Sequence, residues 1–323
     1  MNSLNEIKRP VAEELAAFQK VFRNSVKSKV PLLDVIMRYI LKAKGKQMRP
    51  LIVIYSAKLF NSVNESTYRA ATLIELMHTA TLVHDDVVDD SSQRRGRFSI
   101  NALWKNKIAV LVGDYLLSRG LLVALENKEY KILDIVSRAV KEMSEGELLQ
   151  IEKARKLDIK EDIYYEIIRK KTASLLASCF ASGAASASGD VDIEKMRKIG
   201  ELAGMAFQIK DDLFDFSKGN NTGKPSGIDI KEKKMTLPLI YALNQVSKSD
   251  KRKMINIVKH YNTNHKKVDW LIEMVVQSGG IQYATEKMLE FMNASIDLLH
   301  EFPDNEARNS LEQLIEFTIE RKK

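Results

Sequence analysis

Apolar residues recur along this chain every three or four positions. Leu4, Ile7, Val11, Leu15, Phe18 and Phe22 do so through residues 3 to 28, the period of an amphipathic helix. Pro31 opens a second stretch whose apolar face is Leu32, Leu33, Val35, Ile36, Tyr39 and Ile40, before the polar break KAKGKQMRP. Pro50 then falls at a helix N1 position and opens PLIVIYSAKLF. Residues 65 to 90 read as a largely buried helix, with Leu73, Ile74, Met77, Thr81 and Leu82 at helical spacing. Residues 101 to 126, including IAVLVGDYLLSRGLLVAL, are apolar almost all round, the mark of a central buried helix. Within it Gly113 and Gly120 permit close packing, and Asp114 is a buried charge that needs a partner.

Helices over 128 to 154 and 159 to 188 follow, the second with Asp158 as N-cap and Glu161 three residues on. The second helix ends in small residues, 173 to 189, that let another helix or a chain-like ligand come close. Ile199, Leu202, Ala203, Ala206, Phe207 and Ile209 mark the next apolar helix. The chain then breaks into SKGNNTGKPSGIDIKEKKM, residues 217 to 235, a loop long enough to suggest a lid. From Thr236 the pattern is helical again: LPLIYALNQV, about 250 to 262, about 266 to 278, a run after Gly279 and Gly280 to about 302, and a last helix ending in Arg321, Lys322 and Lys323.

Only 14 Gly and 6 Pro interrupt 323 residues, and no Asn-Gly or Asp-Gly turn lies between alternating runs, so the expectation is an all-α chain. No linker or repeat splits it, so residues 1 to 323 are read as a single domain. No stretch of 18 apolar residues argues for a membrane span, and the N-terminus is amphipathic where a signal peptide has an apolar core, which predicts a cytoplasmic protein. Cys179 alone excludes a disulfide framework and a Cys-based zinc site, and its setting in LLASCFASG reads as a small buried hydrophobe. The formal net charge is +8. Bases and acids are interleaved without an aromatic platform, which disfavours nucleic acid and fits a phosphorylated substrate.

Chemistry concentrates in two acidic runs, Asp85-Asp86-Val87-Val88-Asp89 and Asp211-Asp212-Leu213-Phe214-Asp215, each at the end of an apolar helix. Three- and four-residue spacings turn three carboxylates to one side. A helix C-terminus adds its own negative dipole, so the cluster is costly without a strong cation, and hard oxygen ligands in an open group suit Mg2+ shared with a diphosphate. Taken singly, each run could be a solvated helix end; the repetition suggests two walls of one metal-diphosphate site.

Cations accompany both runs. Lys44, Lys46 and Arg49 gather beside Gly45 and could hold an anion, guanidinium being suited to bidentate phosphate contact. His78 lies two turns before Asp85, either as a packed core histidine or as a donor to a bound phosphate. Arg94, Arg95 and Arg97 follow the first run closely, Lys224 and Lys234 lie in the loop after the second, and the 159 to 188 helix carries Lys170-Lys171-Thr172.

LVHDDVVDD with RRG after it, GKQMRP upstream, RKKTASL in the middle, AFQIKDDLFDF, and GKPSGID with KMTLPLI downstream resemble, in order and spacing, the trans-isoprenyl diphosphate synthases. The resemblance implies an all-α fold of about ten or more helices around a central cavity, a homodimer, about three Mg2+ ions, and head-to-tail joining of isopentenyl diphosphate to an allylic diphosphate with release of pyrophosphate. By position it makes Asp85, Asp86, Asp89, Asp211, Asp212 and Asp215 metal ligands. Lys46, Arg49, His78 and Arg95 match the isopentenyl diphosphate site, and Arg94, Lys171, Lys224 and Lys234 the allylic diphosphate contacts. Thr172 and Gln208 line the reacting carbons. Lys44 stands where the family often has a second Gly, and Lys233 replaces a Gly, which leaves Lys233 and Lys234 both open as the ligand.

Ala80 and Thr81, about one turn before Asp85, leave room where short-chain members carry Phe or Tyr, and Met77 lies deeper. A long-chain product, of about 40 carbons by resemblance, is the expectation. A short-chain synthase and a non-catalytic subunit of a heteromeric synthase are the alternatives, a terpene cyclase being disfavoured by the second aspartate run. Whether the greasy product brings the protein to a membrane surface is open.

Overall fold

The computed structural model describes residues 4–42, 45–60, 63–94, 96–156, 160–189, 191–216 and 227–320. Its elements in chain order are α1 (Leu4–Lys8), a 3-10 turn at Arg9–Val11, α2 (Ala12–Ser25), α3 (Pro31–Lys42), α4 (Met48–Lys58), α5 (Glu65–Val88), strands β1 (Gln93–Arg94) and β2 (Arg97–Phe98), and α6 (Ile100–Glu126). Then come α7 (Tyr130–Lys156), α8 (Glu161–Ile168), a π-helical turn at Arg169–Ala173, α9 (Ser174–Ser186) and α10 (Ile193–Phe214). The last are α11 (Ile228–Lys231), α12 (Leu237–Gln245), α13 (Lys248–His260), α14 (His265–Gln277), α15 (Gly280–His300) and α16 (Glu306–Glu320). The fold is all-α, as the apolar period predicts.

Two compact units divide the chain. The first comprises Met1–Val140, Ser178–Arg197 and Phe302–Leu314. Its centre is the α5–α6 pair. Gly113 leaves no room for a Cβ beside the His84 ring, and a Cβ at Gly120 would meet Leu73 and Met77, so the two glycines set the approach of α6 to α5. Asn64 caps α5 in a capping box with Thr67, and Ser186 of α9 closes on the Thr67 hydroxyl at 2.9 Å. Gly183 of α9 faces Val53 and Ser56 of α4, which is why that stretch is small-residue rich. The second unit comprises Lys141–Ala177, Lys198–Glu301 and Ile315–Lys323. It is built on a core that includes Tyr164, Ile209, Leu239, Leu271, Val275 and Ala284.

Four local expectations are corrected. Pro10 and a 3-10 turn break the first helix, because proline supplies no N–H and starts a new helix more readily than it continues one. Pro50 sits two residues inside α4, still within the turn whose N–H groups lack partners. Lys160, not Asp158, is the N-cap of α8, and Asp158 lies outside the described residues. The segment 91 to 99 forms a two-residue hairpin pairing Gln93 with Phe98 and Arg94 with Arg97, which the glycine at 96 allows with φ of 72°.

α6 also differs from its apolar pattern. One face packs inside the unit through Ala109, Val112, Leu116 and Ala124, while Val110, Leu111, Leu121, Leu122 and Leu125 are exposed. Asp114 lies on that open face, 3.5 Å from His84, so it is a surface carboxylate and not a buried one. By length and composition α6 could cross a membrane, but its packed face is that of a core helix. Cys179 is fully buried, and burial pushes its thiol up to about 12, an inert packing residue as expected.

The α6 path bends at Lys105, which holds φ 70° and ψ 164°, a region that glycine occupies freely and other residues at a cost of about 1–3 kcal/mol. Lys105→Gly is therefore expected to stabilise the chain by about 1 kcal/mol once the entropy of glycine is deducted, measured as a rise in the denaturant midpoint at unchanged slope.

Candidate active site

Asp85 and Asp86 occupy the last turn of α5, and Asp89 is its C-cap. No basic residue stands in that turn to offset the helix dipole. Asp86 is buried at 3% exposure, and the Arg94 Nε–H donates to its Oδ1 at 2.6 Å. Burial pushes the Asp86 carboxyl up, and the Arg94 guanidinium draws it back. The hairpin that carries Arg94 is held by its own bonds, Ser99 Oγ donating to the Ser91 carbonyl at 2.7 Å and Ser91 N–H to the Asp86 carbonyl at 2.9 Å. Next to the run, His84 lies in the slot left by Gly113, 3.3 Å from the Val110 carbonyl.

In the same unit Arg49 is half-buried and donates to Glu75 at 2.6 Å. Lys46 precedes Gln47, whose left-handed φ of 57° starts α4. His78 accepts the Thr81 hydroxyl on its carbonyl at 2.9 Å. Ala80 is fully buried in an apolar cluster with Ile36, Met37, Leu76, Val83 and Leu116. Met77 is buried against Gly120, and Thr81 is half-buried. Arg95, and Lys44 among the noted departures, lie outside the described residues.

The second unit brings three of the remaining residues, Thr172, Gln208 and Asp212, into one hydrogen-bonded group with Tyr164. The Thr172 hydroxyl donates to Gln208 Oε1 at 2.7 Å, the Gln208 amide donates to Asp212 Oδ1 at 2.8 Å, and the Tyr164 hydroxyl donates to Asp212 Oδ2 at 2.7 Å. Burial pushes the Asp212 carboxyl up to about 7, the nearby Asp229 charge adds to that, and the Tyr164 and Gln208 hydrogen bonds work against it. Asp211 is its neighbour on α10 and also raises it.

Asp215 has a different occupation: its two oxygens accept the N–H groups of Ile228 and Asp229 at 2.7 and 3.1 Å. Lys234 contacts Glu232 at 2.5 Å and Asp229 at 3.6 Å. Burial works to lower its pKa, and the hydrogen bond it donates to Glu232 with the charges of Asp229, Glu232 and Asp212 outweighs that and raises it. Lys233 instead adopts a left-handed φ of 59°, a conformation that glycine takes at less cost. Lys171 pairs with Glu147. Lys224 lies outside the described residues.

Lys171 and Thr172 sit on the π turn, a rare element in which one extra residue widens the helix. Two glycines make room for it. A Cβ at Gly146 of α7 would come within 2.7 Å of the Lys171 backbone nitrogen, and one at Gly204 of α10 within 2.6 Å of the Ala173 Cα. Gly146, Gly204, Tyr164 and Asp229 are the residues that sequence reasoning missed. Their contributions are tertiary: a tyrosine in IYYEII and a glycine in ELAGMAF carry no local sign of what they touch.

Among the described residues no three His, Cys, Asp or Glu side chains converge closely enough to form a metal centre by themselves. The donor chemistry nonetheless fits a hard divalent cation. Asp86 and Asp212 are buried carboxylates whose ionised forms burial disfavours, and a cation beside either would reverse that.

An all-helical chain with two aspartate runs on helix ends, each accompanied by lysine or arginine, defines a protein that handles polyphosphate groups through cations. The chain belongs to the Polyprenyl synthetase family, whose model matches residues 30–275. Over 321 residues it is 35% identical to the all-trans-nonaprenyl-diphosphate synthase (geranyl-diphosphate specific) of Rhodobacter capsulatus, covering 98% of this chain and 97% of that one. It is 31% identical over 321 residues to the octaprenyl diphosphate synthase of Escherichia coli K12, covering 99% of each. A solved polyprenyl synthase from Caulobacter crescentus CB15, complexed with calcium and isoprenyl diphosphate, matches with a TM-score of 0.91 at 31% identity, covering 99% and 98%.

Gly204→Ala drives a methyl into backbone and should cost about 2 kcal/mol or more, because neither α10 nor the π turn can yield as a flexible side chain would. Chemical denaturation of the variant against the parent measures this, and Gly146→Ala is expected to behave alike.

Proposed function

We infer that this prenyltransferase condenses isopentenyl diphosphate head to tail with allylic diphosphates, making a long-chain all-trans polyprenyl diphosphate and releasing pyrophosphate. The observation that carries the reading is the retention of both aspartate runs within a match that extends over nearly the whole length of long-chain synthases. A non-catalytic subunit would have no need of both. The family match runs through both compact units, which supports reading them as one functional domain.

Asp85, Asp86 and Asp89 with Asp211 and Asp212 would hold about three Mg2+ ions, Asp215 contributing only if it releases Ile228 and Asp229. Calcium in the Caulobacter structure supports a divalent metal. Bound Mg2+ supplies positive charge that neutralises the leaving diphosphate. Arg94, Lys171, Lys224 and Lys234 are assigned to the allylic diphosphate, and Lys46, Arg49, His78 and Arg95 to isopentenyl diphosphate. The cations near the allylic diphosphate share the charge that develops as its carbon–oxygen bond breaks. The isopentenyl double bond then attacks the allylic carbon, a new carbon–carbon bond forms, and the proton lost from the adjoining carbon goes to the released pyrophosphate. Thr172 and Gln208 present oxygen dipoles to the passing positive charge. Their mutual hydrogen bond, tied onward to Asp212 and Tyr164, keeps those dipoles from turning.

The open apolar stripe of α6, from Val110 to Leu125, carries one carboxylate and no cation among its exposed residues, which suits a second copy of the chain and supports a homodimer. The cytoplasm is the proposed compartment.

Purified chain incubated with Mg2+, isopentenyl diphosphate and farnesyl diphosphate should release pyrophosphate, and mass spectrometry should find a product of about 40 carbons. Asp85→Ala and Asp211→Ala should each lower turnover by roughly two orders of magnitude or more with helicity retained, since each removes charge that acts on the transition state. Near-normal turnover in either would refute the metal assignment. Ala80→Phe should shorten the product to about 15 or 20 carbons and spare the first condensation, a helical turn being close to one isoprene unit in length. Unchanged product length would remove Ala80 from the tail path.

A further inference from the structure

α3 carries more apolar surface than its unit buries. Ile36 and Met37 are inside, at 1% and 2% exposure, but Val30, Leu32 and Val35 are 57%, 47% and 48% exposed. With Pro31 they form one tip, made by the turn from α2 and the first turns of α3. The tip is braced from behind. Arg119 Nε–H donates to the Ser25 carbonyl at 2.7 Å, the Tyr115 hydroxyl donates to the Lys27 carbonyl at 3.1 Å, and Val26 is buried beneath. Exposed hydrophobics on a braced turn are a presented surface, not a loose end.

Along the chain at this tip the charge is predominantly positive. Lys20, Arg23, Lys27, Lys29, Arg38 and Lys42 are exposed, and Asp34 is the only acid from residue 15 to residue 64. Asp34 is paired with Arg38 at 2.7 Å, an exposed pair that leaves the other five cations as the net rim. The outer face of α3 thus runs from apolar, at Pro31, Leu32 and Val35, to basic, at Arg38 and Lys42. Two copies meeting at this corner would bring like charges together, unlike the cation-free stripe of α6.

We propose that the α2–α3 corner is a docking surface for a lipid bilayer with anionic headgroups. Val30, Leu32 and Val35 enter the boundary between headgroups and acyl chains, and Lys27, Lys29 and Lys42 face the lipid phosphates. The inner side of the same helix gives the docking a use. Ile36 and Met37 share a cluster with Ala80, the residue assigned above to the path of the growing tail. A long apolar product leaving beside α3 would meet lipid without first crossing water. That purpose rests on the long-chain reading; the docking itself is measured without turnover.

The test sediments the full chain, without substrates, with vesicles of phosphatidylcholine alone or with about one third phosphatidylglycerol. The parent should bind the anionic vesicles preferentially, and salt should weaken that preference. Val30→Ser/Leu32→Ser/Val35→Ser should lower vesicle partition by about tenfold or more, since three apolar side chains leave the boundary. Lys27→Glu/Lys29→Glu should abolish the preference for phosphatidylglycerol. Both variants should keep the parent's helicity and its turnover in detergent. A parent that stays in the supernatant, or a triple-serine variant that sediments like the parent, overturns the proposal. So does a triple-serine variant that changes only the oligomeric mass, because the corner would then be an interface between copies. If the vesicle results hold while the parent makes no polyprenyl product, the docking stands and the assignment of the reaction falls.

Discussion

The cost of keeping an ionised carboxylate out of water governs the second unit more than any other single term. Asp212 is almost fully enclosed, and among the described residues the surrounding helices supply it with a phenol and an amide and no cation in direct contact. Each donor is in turn fixed by something else: Gln208 by the Thr172 hydroxyl, and Thr172 by a π turn for which α7 and α10 make space with glycines. A neutral pair of donors offsets only part of the desolvation of a charge. The arrangement is therefore most stable with the proton on or with external positive charge alongside, which is the electrostatic condition a charge-neutralising site requires.

Sequence alone disclosed a good deal of this. The three-to-four residue apolar period located nearly every helix from α2 to α16, since long amphipathic elements have many positions over which to establish a phase. Both aspartate runs were visible because like charges packed at a helix end contradict local preference. Features that depend on what lies across a contact were not visible. The outward side of α6 looks like core in sequence, as leucine does not record which way it faces. The hairpin at Gln93–Phe98 is too short to show alternation. Tyr164 could not be told from any other buried aromatic, and the capping of Ile228 and Asp229 by Asp215 spans a dozen residues.

Three lysines at positive φ, Lys105, Lys128 and Lys233, indicate that this chain tolerates backbone strain where glycine would be relaxed. At Lys233 the strain adjoins Lys234, whose ammonium is enclosed by acids. The left-handed residue turns the chain out of the short α11, and Lys234 N–H then closes on the Asp229 carbonyl at 2.8 Å. Side-chain charge and backbone turn at this point thus involve the same two residues, Asp229 and Lys234.

Asp215 ties the end of α10 to the start of α11. Its carbonyl accepts the Gly227 N–H at 3.0 Å, and its carboxylate takes the next two N–H groups, so positions 215 and 227 are held together. With the ends stapled, the entropy of closing the intervening segment grows only as the logarithm of its length, about 0.6 kcal/mol per doubling. Length between these two posts is thereby nearly decoupled from the stability of the helices that carry them.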